Sequence, residues 1–488
     1  MTTDRKVAFE ESVSIVVFGA SGDLASKKTF PALFALFSKG LLPKKTRIYG
    51  YARSEMSKEE FSKKQTFHIK SADEQADKIK EFTSLSTYVR GGYDDDKDFR
   101  QLNSVIEEGE KNMPEKNRLF YLALPPSQFA DVGEHIKKEC YLKEDEGRIR
   151  VIIEKPFGRD LKSSRELQAQ LSPIFSEVEL YRIDHYLGKE VVKNLMKVRF
   201  LNTVMMSFWD NRFISNVSIV FKEPFGTEKR GGYFDDVGII RDVMQNHLVQ
   251  VLCLLTMSRP VSTSPEDIRD EKVKVLRAVR PVDAKDVILG QYVAAEVNGE
   301  KKPGYKDDDT IENKDTKTPT FAAIPLYIEN DRWDGVPFVL KAGKALNEAK
   351  VEIVMQFKPV PGALRDHIPP NELIFRIQPD EAILLKMNTK YPGLNDKLVV
   401  DDLDISYRDS FPKVAIPEAY ESLILDCLKG DHSNFVRDDE LDEAWKIFTP
   451  ILERIDAGDV KVHDYKYGSE GPEVMKEFMQ SKGFIDDI

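Results

Sequence analysis

Short apolar runs alternate with helical patterns over the first third of the chain. Residues 13–18 form a β-branched run that ends at a glycine. Residues 25–39 follow with Phe30, Leu33, Phe34 and Phe37 at helical spacing, and Gly40 stands where helices favour a glycine stop. Residues 47–51 read as a second strand, residues 118–124 as a strand halted by Pro125-Pro126, and residues 150–154 as one halted before Pro156. Strand, helix, strand at this spacing predicts βαβ units and a parallel sheet. Ligands of such sheets sit beyond the carboxyl ends of the strands, where Gly19, Arg53, Pro125 and Lys155 fall.

After about residue 185 the pattern changes. Residues 217–222, 321–328, 336–340, 351–357, 372–377 and 382–387 are strand-like, several alternate, and few helices separate them. That predicts a mainly antiparallel sheet with helices on one face. Residues 239–255 and 417–428 are helical exceptions, the latter ended by Gly430, and the polar stretch 298–318 reads as a long surface loop. The expected fold is α/β followed by α+β. A Rossmann-like nucleotide-binding domain spans 1–184, and a larger domain with a mainly antiparallel sheet spans 185–488.

Composition narrows the function. Of 488 residues 41% are hydrophobic, enough for the cores of two or three domains. The 83 acidic residues outnumber 72 Lys and Arg, for a net charge of −11, so nothing favours a nucleic-acid or anionic-membrane partner. Cys140, Cys253 and Cys427 are too few and too scattered for a zinc site or a disulfide framework. No apolar run reaches membrane-helix length. Residues 1–11 lack a signal-peptide core, and Asp486-Asp487-Ile488 carries no lipidation or peroxisomal signal. The expected location is the cytoplasm.

Five places can carry chemistry. Gly19-Ala20-Ser21-Gly22-Asp23-Leu24 lies between the first strand and the first helix, where backbone amides can meet a pyrophosphate at the positive end of a helix. Ser21 and Leu24 break the full GxGxxG pattern, and an ordinary tight turn is the alternative, weakened by the strand before it and the helix after it. The second strand leads into Arg53 with no acid until Glu55, which suits a 2′-phosphate held by a guanidinium, with Ser21 adding a bond, better than a free ribose hydroxyl. A surface arginine is the alternative. Lys155 ends a strand against Pro156 and can touch coenzyme and substrate, or be merely solvated. Tyr181-Arg182-Ile183-Asp184-His185-Tyr186-Leu187-Gly188-Lys189 is dense in polar types. With His185 and Lys189 one helical turn apart and Tyr186 beside them, it would form a phosphate clamp, and Asp184 would then orient a histidine. His247 lies near an apolar stripe, which fits a core residue or a general base.

In this order, the Gly19–Ala25 turn, Gly50-Tyr51-Ala52-Arg53, Glu154-Lys155-Pro156-Phe157-Gly158, Arg182 to Lys189, Gly226-Thr227-Glu228, Arg241 to His247 and Gly343-Lys344-Ala345-Leu346-Asn347 resemble the motifs of the glucose-6-phosphate dehydrogenase family, in a fungal-type member. The resemblance runs from residue 13 past residue 437. It implies NADP-dependent oxidation of glucose 6-phosphate at C1 to the 6-phosphogluconolactone, the first step of the oxidative pentose phosphate pathway, by a homodimer or homotetramer. By position it implies His247 as general base and Asp184 as its orienting carboxylate. His185, Tyr186 and Lys189 then hold the phosphate, while Lys155, Glu223, Asp242 and Lys344 lie about the sugar. Gly19, Ala20, Ser21, Gly22, Asp23, Leu24, Lys28, Arg53, Pro125 and Lys155 serve the coenzyme, and no metal is needed.

Three departures from the family pattern stand out. Ser26 replaces a lysine common there, and Ala349, beside Lys350, replaces a common Arg or Lys. Val354 and Leu384 replace positions that some animal members use for a second, structural NADP, although Arg376, Gln378 and Lys386 persist. The expectation is against a complete second site. A related two-domain sugar or aldehyde dehydrogenase would show the turn and Lys155 without the clamp, and an inactive scaffold would show a broken site.

Overall fold

The computed structural model describes residues 11–69, 75–143, 146–362 and 368–485. The terminal signals sought above, in residues 1–10 and 486–488, lie outside this range.

The first sheet holds β1 (Ser12–Phe18), β2 (Lys45–Ala52), β3 (Ser86–Arg90), β4 (Arg118–Leu122), β5 (Ile149–Glu154) and β6 (Leu180–Ile183). Its order is β3-β2-β1-β4-β5-β6, and all neighbours are parallel. The strands β1, β4 and β5 are buried along their whole length because both faces of the sheet are covered. On β1, Val13, Ile15 and Val17 enter one core while Val16 and Phe18 enter another, as the two-residue period of a strand requires. Successive crossovers run outward on either side of β1. The cleft for a ligand therefore opens at the carboxyl ends of β1 and β4, the reversal point of a Rossmann-type sheet.

The second sheet is built from β7 (Ile214–Lys222), β8 (Ile288–Val293), β11 (Phe321–Tyr327), β12 (Pro337–Gly343), β13 (Lys350–Phe357), β14 (Glu372–Gln378), β15 (Ala382–Lys390), β16 (Leu398–Ser406) and β17 (Val462–Lys466). Its order is β16-β15-β14-β13-β7-β12-β11-β8-β17. Only the β7–β12 and β8–β17 pairs are parallel, so the sheet is mainly antiparallel. β9 (Ala295–Val297) and β10 (Glu300–Lys302) form a separate antiparallel ribbon.

Two compact units result: residues 1–188, 262–269 and 417–442 in one, and 189–261, 270–416 and 443–488 in the other. The uninterrupted division at 184/185 thus gives way to one in which two later segments return to the first unit. Packing explains the second return, because Leu423, Ile424, Cys427, Leu428 and Phe435 complete the core on one face of the parallel sheet. The stretch 298–318 is also more than a surface loop. Tyr305 and Ile311 are buried in it, and Asp308 Oδ2 accepts from the Thr227 hydroxyl and from the Lys229 and Gly231 amides.

Candidate active site

In the first unit, Gly19 has φ +72°, and a β-carbon there would stand 2.3 Å from the Ala123 carbonyl oxygen. Only glycine fits a left-handed turn this close to the neighbouring strand. The Ala20 amide donates to the Tyr51 carbonyl (3.2 Å) and Gly22 back to Gly19 (2.8 Å), which moulds the turn over the end of β2. The Ser54 and Ser21 hydroxyls lie 3.4 Å apart, so the turn and the residues after β2 meet. Arg53 is exposed, with its guanidinium 5.4 Å from the centre of the Tyr93 ring. Glu55, the nearest acid, is turned to Arg90 at 3.0 Å.

After Leu24, residues Ala25–Thr29 form a π-helical turn that continues into the helix Phe30–Ser38. Lys28 is exposed on it. Asp23 is paired with Lys27 (2.9 Å), whose hydrogen bond and charge hold the carboxyl below its ordinary range. Ser26 is buried and donates to the Lys64 carbonyl (3.0 Å), so at this position the chain keeps a packing bond rather than a third coenzyme-side charge. Pro125 follows β4 in an extended conformation and starts a short helical turn.

Lys155 follows β5 directly. Its neighbour Glu154 is buried, accepts from the Tyr121 hydroxyl, and lies 3.5 Å from that of Tyr420. Burial pushes the Glu154 carboxyl up to about 7, against the opposing hydrogen bond from Tyr121. Asp184 is buried after β6, and its Oδ1 accepts from the Tyr186 amide (3.0 Å). The His185 ring lies nearly parallel to that of Tyr420 (9°, centroids 6.0 Å apart) and edge-on to Tyr186 (5.0 Å). Gly188 is required by close approach, since a β-carbon would meet the Ala419 carbonyl oxygen at 2.4 Å. The helical turn expected to align His185 with Lys189 does not form. His185–Gly188 is a tight 3₁₀ turn, and Lys189 is extended (φ −72°, ψ 138°) and begins the helix Glu190–Phe200.

In the second unit, Lys189 Nζ donates to Gln378 Oε1 (2.6 Å). The parallel pairing of β7 and β12 sets Lys222 opposite Gly343, so the next residues, Glu223 and Lys344, emerge side by side. Lys344 Nζ donates to Glu223 Oε2 (2.5 Å) and lies 3.7 Å from Asp242 Oδ2. Asp242 and His247 share the π-helical segment Ile240–Leu248. Its i→i+5 bonding brings residues five apart round to one face, whereas in an α-helix they would diverge by roughly 140°. His247 is buried there, and its amide donates to Asn246 Oδ1 (2.7 Å).

Tyr93 and Tyr420 went unforeseen. Each is an aromatic side chain brought under a charged or imidazole group by the fold, and nothing in its local pattern marks it. Of the departing positions, Lys350 Nζ lies between Glu348 (3.2 Å) and Glu352 (3.7 Å). Val354 packs on Ile374, Ala382 and Leu384, and Lys386 pairs with Glu372 (3.1 Å).

A Rossmann-type sheet with a glycine turn at its reversal point, joined to a large mainly antiparallel unit, defines a two-unit pyridine-nucleotide dehydrogenase. Residues 16–194 match the family described as glucose-6-phosphate dehydrogenase, NAD binding domain, and residues 196–485 its C-terminal domain. The glucose-6-phosphate 1-dehydrogenase of Emericella nidulans is 55% identical over 98% of this chain and 93% of its own. That of Saccharomyces cerevisiae is 55% identical over 99% and 96%. A solved structure described as glucose-6-phosphate dehydrogenase in complex with its substrate glucose 6-phosphate superposes with a TM-score of 0.94, at 53% identity over 98% of this chain and 99% of its own. The chain belongs to the glucose-6-phosphate dehydrogenase family.

Proposed function

We propose that this enzyme oxidises D-glucose 6-phosphate at C1 to 6-phospho-D-glucono-1,5-lactone with NADP, the first step of the oxidative pentose phosphate pathway. The observation that carries the reading is the near-complete superposition on a family member described with that substrate bound. His247 takes the C1 hydroxyl proton, and the family motif assigns Asp184 as its orienting carboxylate. His185, Tyr186 and Lys189 hold the phosphate, whose binding energy fixes C1 for reaction. Glu223, Asp242, Lys344 and Lys155 hold the sugar. The Lys344 ammonium between two carboxylates supports this, because it keeps acceptors and a donor fixed for hydroxyl groups.

NADP, when bound, supplies the hydride acceptor. The residues present fit it: the glycine turn follows β1 at the reversal point of the parallel sheet, Arg53 is exposed on its ring support, and Glu55 is engaged by Arg90. Gly19 to Leu24, Lys28, Arg53, Pro125 and Lys155 form that coenzyme site, in a nucleotide-binding domain completed by the returning helix Ala419–Lys429. The substrate and subunit-contact domain follows. A second, structural NADP is not part of this reading, since Lys386 is engaged by Glu372 and Val354 and Leu384 pack in an apolar cluster with Ile374 and Ala382.

We also place the enzyme in the cytoplasm as a homodimer or homotetramer. Three buried thiols without a disulfide fit a reducing compartment. Exposed Leu398, Val400, Leu403 and Ile405 on the end strand β16 fit a contact between subunits.

The deciding assay follows the near-ultraviolet absorbance of reduced nicotinamide with NADP and either glucose 6-phosphate or glucose. Reduction with the phosphate ester alone is expected. Equal rates with glucose would favour a related sugar dehydrogenase, and no reduction by folded enzyme would favour an inactive scaffold.

A further inference from the structure

The amino ends of β5 and β6 lie at the opposite end of the parallel sheet from the glycine turn, and nothing in the catalytic reading uses them. A cavity of about 620 Å³ opens there, within the range of small-molecule sites. Its wall carries four cations, Lys137, Lys143, Arg148 and Arg150. The one acid among its described residues, Glu179, already accepts from the Ser176 amide (2.9 Å) and hydroxyl (2.7 Å). A concave wall concentrates the field of the charges that line it.

The cations are held in different ways. Arg150 is buried, with a guanidinium nitrogen 3.3 Å from where a β-carbon on Gly430 would stand. Lys137 lies over the Tyr141 ring at 3.7 Å, and Lys143 and Arg148 are exposed at the rim.

Two further atoms of the wall point to a ligand. Tyr141 Oη and His432 Nε2 are buried with no hydrogen-bond partner among the described residues. The His432 ring stacks on Tyr181 (centroids 3.9 Å apart) and bonds to the Gly430 backbone. Burial pushes its pKa down to about 4, so at neutral pH the second ring nitrogen offers a lone pair and asks for a donor. Cations in number, two of them guanidinium groups, suit clustered phosphate oxygens, and an unfilled acceptor suits the hydroxyl or amino group of an organic body.

We propose that this cavity is a second ligand site, separate from the coenzyme turn, for a small molecule carrying two or more linked phosphates. ATP without metal serves as the probe. It is titrated calorimetrically into the whole enzyme in the presence of saturating NADPH and glucose 6-phosphate, a non-reacting pair that occupies the catalytic sites. One ATP per chain is expected to bind. The exposed pair Lys143→Ala with Arg148→Ala is expected to weaken it at least tenfold and leave the basal reaction rate unchanged. Tyr141→Phe, which alters one hydroxyl, is expected to weaken it less. No binding to the blocked enzyme overturns the proposal. So does equal weakening by Lys44→Ala with Lys58→Ala, two surface charges elsewhere.

Discussion

At the end of β1 the chain presents backbone, and at the ends of β7 and β12 it presents side chains. The Gly19 turn depends on what it lacks: no β-carbon against the Ala123 carbonyl, at a left-handed φ of +72°. The Glu223–Lys344–Asp242 cluster works by what it contains, three charges held by strand register and a π-helical segment. A backbone site is sensitive to any added atom and indifferent to most side-chain chemistry. A side-chain site is sensitive to one functional group and tolerates changes of equal shape.

The largest test of that contrast is His247→Asn, which keeps the shape and removes the base. Turnover is expected to fall about 10²–10⁴-fold with KM for the sugar phosphate near its original value. A surviving rate would show that His247 is not the base. Gly19→Ala does the reverse, adding one methyl group and no chemistry. The left-handed φ alone costs about 1–2 kcal/mol, and the contact with the Ala123 carbonyl adds to it. The coenzyme KM should therefore rise roughly tenfold or more, with a lower Tm. An unchanged coenzyme KM would remove the backbone cradle.

Arg53→Ala tests the guanidinium in the proposed hold on the 2′-phosphate. NADP affinity is expected to fall by about 1.5–3 kcal/mol, the worth of hydrogen bonds to a charged group, with little change for NAD. Equal losses would break the 2′-phosphate argument. The smallest effect belongs to Glu154→Gln. The folded chain holds a proton on Glu154 up to about pH 7, whereas a free carboxyl releases it near 4.5, so ionisation costs the wild type stability as pH rises through that window. Glutamine carries no such cost. The variant's Tm relative to wild type should therefore climb between those values, by the equivalent of at most about 3 kcal/mol. A pH-independent difference would show that the carboxyl is not shifted.

What the sequence made legible divides along the same line. The glycine turn, Arg53, Pro125 and Lys155 follow strand ends, and strand ends are local signals. Glu223 and Lys344 stand 121 positions apart, and only the β7–β12 register joins them. Residues 239–255 read as helix, yet apolar spacing does not distinguish i→i+4 from i→i+5 bonding, and that choice decides whether Asp242 and His247 share a face. The helix ending at Gly430 was recognisable with its left-handed stop (φ 74°), but its apolar stripe does not say which sheet it covers. Tyr305 and Ile311 were hidden by the polar residues around them, because two buried anchors suffice to pin a loop.

The return of residues 417–442 to the first unit also bears on how the protein is made. On a ribosome the six parallel strands emerge early together with Phe30, Leu33 and Phe34, which cover part of one face, but the rest of that face waits until Leu423, Ile424 and Phe435 have been synthesised. The nucleotide-binding half therefore cannot finish ahead of the other. A product halted between the two would carry a partly uncovered apolar sheet face, the kind of exposed patch that quality control recognises.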